Sequence, residues 1–370
     1  MITLAKYALP AVDRDSALTG LEPFRNRLEK KHILLTGCTG FIGHWLVDTL
    51  LWANEAHGYA CKLSLVTRSR ARLLEAMPHL ATHSSVQIVE SDIIKLDMVT
   101  PAAYDLIIHG ANLPHDEESA WAARHCQTAC GGAEAIFKVA ARCGARRVLI
   151  LSSGGVYATR ALAEHVPLRE ESADMAQRLR ESSLYGETKR FVELYAAALG
   201  QQYGIEVPIA RCFSFCGACL SMNGVNALAS FLADALAGRD IVIRGDGTQV
   251  RSFLHGSDMA AWLLGMLVAG PDGEPCNVGS TESVSLRELA EQIARLAGGK
   301  SEVQVLGKAV PGNAPSIYVP DTSRIRTKLG VEERLSLAEG LRRTLDWGLE
   351  CQEEGYNGQK NPRVSYMWQD

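Results

Sequence analysis

The sequence lacks a long apolar run, a surplus of positive charge, an internal repeat and any low-complexity tract. Without an apolar run of spanning length, no transmembrane helix is expected. The 370 residues carry 38 Lys and Arg against 42 Asp and Glu, a net charge of -4, so no overall positive field draws the chain to nucleic acid or to an anionic membrane. Asp13, Arg14, Asp15 and Glu22 interrupt the place where a secretory signal needs an apolar core. A cytoplasmic protein is the expectation. No metal centre is expected. Cys216-Gly217-Ala218-Cys219 spells one C-x-x-C, but neither a second such pair nor a nearby His pair completes a tetrahedral site. Cys38, Cys61, Cys126, Cys143 and Cys276 lie in or beside expected strands and helices, where a free thiol acts as a small apolar group. With 47% hydrophobic and 22% charged residues, the composition is that of a globular protein with one large domain or two closely packed ones.

The most informative stretch is His32 to Gly43, HILLTGCTGFIG. An apolar run of strand character is followed by Gly37, Gly40 and Gly43 at three-residue intervals, and then by a helix opening at Ile42. Strand, glycine turn and helix start together make an anion-binding corner. Glycines let the backbone bend and approach a pyrophosphate, while the N–H groups and dipole of the helix start face it. The spacing is G-x-x-G-x-x-G rather than G-x-G-x-x-G, and a dinucleotide is the natural ligand.

Further strand signals follow at Lys62–Thr67, Val86–Glu90, Asp105–His109, Arg147–Ser152 and Val207–Phe213, with helix-length segments between most of them. Such alternation predicts a parallel sheet covered on both faces, with ligands at the carboxyl ends of its strands. Residues 1–30 are expected to be a surface extension. Residues 31–217, also receiving about 253–280, form the expected nucleotide-binding domain, and 218–252 with 281–349 a smaller lobe closing over the ligand edge; 350–370 reads as a polar tail. Two long segments, Glu117–Cys143 and Leu184–Tyr203, carry small or apolar residues on more than one face, which suggests a homodimer.

At the end of the second strand an acid would accept the adenosine ribose hydroxyls of NAD, and a basic residue would accommodate a 2′-phosphate. This chain has Thr67-Arg68-Ser69-Arg70 there. Arg68 and Arg70 predict NADP(H), with NAD as the alternative. Asp92 and Ile93, after the third strand, are placed to reach the adenine. Tyr185 and Lys189 stand four apart on an expected helix, so they share a face, and the ammonium is expected to lower the phenol's pKa and make it a usable acid or base. Ser152-Ser153 ends the preceding strand, where a hydroxyl can hold the same substrate oxygen.

From Lys31 to about Gly348 the chain resembles an extended short-chain dehydrogenase/reductase of the NAD(P)-dependent nucleotide-sugar epimerase/dehydratase kind. The pieces that carry the likeness are Thr36-Gly-Cys-Thr-Gly-Phe-Ile-Gly43, Ser91-Asp92-Ile93, His109-Gly-Ala, Leu151-Ser-Ser-Gly-Gly-Val-Tyr157, Tyr185-x-x-x-Lys189, Ala210-Arg-Cys-Phe213, Gly245-Asp-Gly-Thr-Gln-Val-Arg-Ser-Phe253 and Asn277-Val-Gly279. The resemblance implies a Rossmann-like, doubly wound parallel sheet with a smaller C-terminal α/β substrate-binding lobe. It implies Ser153 as the catalytic hydroxyl, Tyr185 as acid/base, and Lys189 as the residue that binds the nicotinamide ribose and tunes Tyr185. Gly37, Thr39, Gly40, Phe41, Ile42, Gly43, Gly110 and Ala111 then belong to the cofactor side. Asn112, Ser214 and Arg251 belong to the substrate side, with Arg251 on the pyrophosphate of a nucleotide-diphosphate sugar.

The departures matter as much. Family members that dehydrate or decarboxylate the sugar carry Asp or Glu one or two residues after the catalytic hydroxyl, and here Gly154 and Gly155 stand there. Glycine moves no proton. Ser214 and Cys216-Gly217-Ala218 also replace the usual Asn and Tyr-Gly-Pro. The expectation is therefore an NADPH-dependent reductase of a nucleotide-linked 4-keto, 6-deoxy sugar, with a 4-epimerase holding NAD+ tightly as the alternative. Dehydratase, decarboxylase and a nucleotide-binding regulator without turnover rank below both.

Overall fold

The computed structural model describes residues 9–98, 103–113, 120–157, 167–174, 184–222, 226–309 and 315–353. The chain opens with helix α1 (Ala11–Leu21) and a short helix α2 (Arg25–Leu28), then enters strand β1 (His32–Thr36), helix α3 (Phe41–His57) and strand β2 (Lys62–Thr67). A short helix α4 (Arg70–Ala76) leads to β3 (Val86–Glu90) and β4 (Leu106–His109), followed by α5 (Trp121–Cys143), β5 (Arg147–Ser153), α6 (Leu184–Tyr203) and β6 (Ile209–Cys212). Gly58 and Gly144, at φ +67 and +76, end α3 and α5 in the left-handed conformation that a side chain disfavours.

Six of these strands and β11 (Pro275–Val278) form one sheet in the order β11-β6-β5-β4-β1-β2-β3. Every neighbouring pair is parallel. The order reverses between β1 and β4, where a crevice opens at the strands' carboxyl ends. The β1 sequence shows why the sheet is covered on both faces: Ile33 and Leu35 enter one buried apolar cluster and Leu34 the other.

Beyond β6 the chain builds smaller units: β7 (Phe215–Cys216), α7 (Ala227–Leu236), β8 (Ile241–Ile243), β9 (Val250–Ser252), β10 (Leu254–His255) and α8 (Gly256–Ala269). After β11 come β12 (Ser283–Ser285), α9 (Leu286–Leu296), β13 (Val303–Val305), β14 (Ile317–Tyr318), α10 (Ser323–Leu329) and α11 (Leu337–Glu353). Strand β9 is flanked by antiparallel β12 and parallel β14, while β8 pairs with β13. A capping box between Ser285 and Glu288 starts α9.

The N-terminal segment is a correction. Residues 9–28 are not a surface extension, because Leu9, Leu18, Leu21, Phe24 and Leu28 are buried in the main core. Leu21, Phe24 and Leu28 recur at helical spacing, which gives one apolar face, and Phe24 closes on Gly265 of α8, where a Cβ would lie 2.7 Å from the ring. Residues 1–8 and most of the expected polar tail lie outside the described residues, and Glu350 to Glu353 complete α11.

Candidate functional site

The glycine corner sits where β1 hands over to α3. Gly37 has φ +78, and a Cβ on it would lie 2.5 Å from the carbonyl oxygen of Gly110; a Cβ on Gly43 would lie 2.5 Å from that of Gly37. Only glycine fits either position. Gly40 precedes the helix with no side-chain cap of its own, so the start of α3 faces the glycine loop with its dipole. Thr39 and Ile42 are half-buried beside it. Phe41 turns its ring inward, 6.1 Å from Trp45 and stacked 6.3 Å from Phe215, so on the cofactor side it offers its backbone.

Thr36 fastens this corner to β4. Its hydroxyl accepts from the N–H groups of Gly110 and Ala111 at 3.1 and 3.0 Å, and lies 3.0 Å from His109 Nδ1. With both lone pairs engaged, the hydroxyl donates to the imidazole, which fixes the proton of neutral His109 on Nε2. Burial, reinforced by the Lys189 ammonium, pushes His109 down to about 3. Asn112, two residues beyond Gly110, is half-buried.

At the end of β2, Arg68 and Arg70 are exposed, and neither is ion-paired among the described residues. Thr67 donates to the Ser69 carbonyl, and Ser69 caps α4 by accepting from Arg72 N–H. Asp92 is exposed and accepts from Ile94 N–H at 3.2 Å, whereas Ile93 is buried. The glycine corner, the helix start and the basic end of β2 together suit a dinucleotide.

Across the crevice, β5 ends at Ser153, whose hydroxyl accepts from Gly155 N–H at 3.1 Å and is hydrogen-bonded to Tyr185. Lys189, one turn along α6, points its ammonium at the Leu151 carbonyl, 3.0 Å away, with its Nζ 6.0 Å from the Tyr185 ring centre. The structure thus brings Ser153, Tyr185 and Lys189 together. It corrects the expected direction of Tyr185's pKa. Burial raises the phenol to about 12, against the smaller opposite effect of the Ser153 hydrogen bond, while burial lowers Lys189 to about 8.

Beneath them lies a buried polar network. Glu193 accepts from Ser152 and from both the Nε and Nη2 of Arg211, and Arg211 Nη1 also donates to the Glu170 carbonyl at 2.7 Å. Asn277 of β11 joins the network through Tyr157 and the Leu168 carbonyl. Among the substrate-side residues, Ser214 is half-buried, its carbonyl accepting from Leu254 N–H. Arg251 stands on β9, its Nη1 donating to the Val250 carbonyl at 3.0 Å.

Two neighbours were missed by sequence reasoning. His125 of α5 stacks on Trp121 at 4.8 Å and lies 5.9 Å from the Tyr185 ring. Tyr318 of β14 lies beside Gly154. Neither carries a motif; only the packing of α5 and the pairing of β14 with β9 bring them here.

Comparisons with known proteins show the family and the fold. A family model described as the NAD dependent epimerase/dehydratase family matches residues 33–279. The chain is 27% identical over 341 residues to UDP-glucuronic acid decarboxylase 1 of Danio rerio, covering 92% of this chain and 78% of that one. It is 27% identical over 320 residues to dTDP-glucose 4,6-dehydratase of Streptomyces niveus, covering 85% and 92%. Among solved structures, the fold is similar to a UDP-glucose 4-epimerase from Thermotoga maritima with UDP-glucose, at TM-score 0.71 and 22% identity over 87% of this chain and 99% of that one. It is also similar to WbmF of Bordetella bronchiseptica in complex with NAD+ and UDP, at TM-score 0.72 and 20% identity over 88% and 94%.

Proposed function

Since this chain belongs to the NAD dependent epimerase/dehydratase family, we propose that it is a nucleotide-sugar reductase, using NADPH to reduce a 4-keto, 6-deoxy sugar carried on a nucleoside diphosphate. The observation that carries this reading is the end of β2, where Arg68 and Arg70 stand exposed and none of residues 67–70 carries a carboxylate for the ribose hydroxyls.

Bound NADPH would supply the hydride. The work of the chain itself is to hold the ketone and deliver one proton. Ser153 donates a hydrogen bond to the ketone oxygen, and Tyr185 gives that oxygen its proton as charge develops on it. A phenol raised to about 12 is protonated at neutral pH, so it enters the reaction as an acid, the state that reduction requires. Lys189, still cationic below about pH 8, stabilises the phenolate left behind. Arg251 is the guanidinium proposed for the sugar nucleotide's pyrophosphate. Residues 218–252 and 281–349 supply the substrate side.

Exposed Phe191 and Leu194 on α6 support a homodimer through that helix. We place the protein, with its substrate and NADPH, in the cytoplasm. The rival reading is a 4-epimerase with NAD+ held through the cycle, favoured by the likeness to proteins of that name. Denaturing freshly purified protein and identifying any nicotinamide it releases separates the two. Stoichiometric NAD+ overturns the reductase reading; protein that arrives empty and binds NADPH in preference to NADH supports it.

A further inference from the structure

Gly154 follows Ser153 directly, and a Cβ built on it would lie 2.2 Å from the Tyr318 hydroxyl oxygen and 2.8 Å from its Cζ. Real Cβ atoms do not come that close, so a side chain at 154 and the phenol of Tyr318 exclude each other. Nor is the phenol free to swing aside. Tyr318 is 6% exposed, its ring lies 4.7 Å from that of Phe213, and it shares a buried cluster with Val156, Tyr157 and Leu168. Its backbone is held too, because Tyr318 is the register partner of Arg251 in the parallel β14–β9 pair, and the Arg251 guanidinium lies 5.9 Å from the ring centre.

We propose that Tyr318 is a specificity-determining residue: reaching in from the C-terminal lobe, its phenol fills the space that a side chain following Ser153 would take. It thereby keeps a carboxylate out of position 154 beside Ser153. The inference rests on the nucleotide-sugar reading above. Eliminating water or losing carbon dioxide needs a further group to move or steer a proton, and residue 154 adjoins Ser153, where such a group would reach a substrate held by Ser153 and Tyr185. Tyr318 does not replace that group. Burial, with the nearby Tyr185 phenol acting in the same direction, holds its hydroxyl well above the usual phenol range, so it carries no charge and takes up no proton at neutral pH. The block is steric and comes from a residue 164 positions along the chain.

The test has two arms. Without ligand, thermal midpoints are measured for Gly154→Ala, Tyr318→Ala and the double variant. Gly154→Ala is expected to lower the midpoint by roughly 1–4 °C in the wild-type background and by less than about 1 °C beside Tyr318→Ala. Equal losses in both backgrounds overturn the proposal, whatever the substrate proves to be. In the second arm, wild-type protein and Tyr318→Ala/Gly154→Asp are incubated with carboxyl-labelled UDP-glucuronic acid and, in parallel, NAD+ or NADP+. The overall change followed is loss of labelled carbon dioxide to leave a UDP-pentose, with no net oxidation. Wild type is expected to release none, and the double variant at least about tenfold more than background. Release by wild type, or a folded double variant that releases none, overturns the assignment. Failure of the reductase reading shows separately, as absence of NADPH oxidation with any 4-keto sugar nucleotide, and leaves the thermal arm unaffected.

Discussion

The hydroxyl of Thr36 lies 3.0 Å from Nδ1 of His109, joining the last residue of β1 to the last residue of β4 at the floor of the crevice. His109 is buried and neutral, and burial holds its pKa at about 3; His255 is held at about 3 for the same principal reason. An unfolded histidine takes up a proton below about pH 6.5, and these two refuse it until about pH 3. Stability is therefore lost as pH falls through that window, by about 1.4 kcal/mol per pH unit for each such histidine. Burial raises the carboxyls of Asp13 and Glu170, which act in the opposite sense. Urea unfolding of wild type and His109→Gln between pH 4 and 7 isolates the effect. The variant's pH slope is expected to be shallower by about one proton, and an unchanged slope would show that His109 is not responsible.

Tyr185 is hydrogen-bonded to Ser153, and its phenol is the only group in the proposed mechanism that gives the proton. Tyr185→Phe keeps the ring against His125 and removes that proton. Turnover should fall by about a thousandfold or more while NADPH affinity stays within about twofold. Turnover near wild type contradicts the assignment.

Lys189 donates to the Leu151 carbonyl and loses its proton at about pH 8. If the phenolate of Tyr185 depends on that charge, initial rates measured between pH 6 and 10 should decline above about pH 8. Lys189→Arg, whose guanidinium stays charged, should abolish the break, at a lower plateau rate. A break that persists in the variant belongs to another group.

Arg68 is the first residue past β2. Arg68→Ala should weaken NADPH binding by about tenfold or more and leave NADH within about twofold, because only the former carries the 2′-phosphate. Equal losses for both cofactors would remove Arg68 from the phosphate.

Much of this was legible from the sequence because the signals are local. The β1–turn–α3 corner is set by glycines whose Cβ atoms have no room, and the Tyr185–Lys189 spacing follows from one helical turn. Three features were not legible. The N-terminal helix was misread because its few leucines, diluted by Asp13, Arg14 and Asp15, reveal their buried face only against α8. Spacing gave the partner of Tyr185 but not the degree of burial, and burial decides the sign of its pKa shift. Tyr318 has no motif at all; it enters the site through a two-residue strand paired across the lobe.

The most direct measurement is to mix the purified protein with a panel of UDP-, dTDP-, GDP- and CDP-linked 4-keto-6-deoxy sugars and follow NADPH. A reductase oxidises one NADPH for each carbinol formed, and Tyr185→Phe abolishes that signal. If no NADPH is consumed, and instead the protein with bound NAD+ interconverts the 4-epimers of a nucleotide sugar, the protein is an epimerase and the reading of Arg68 and Arg70 is wrong.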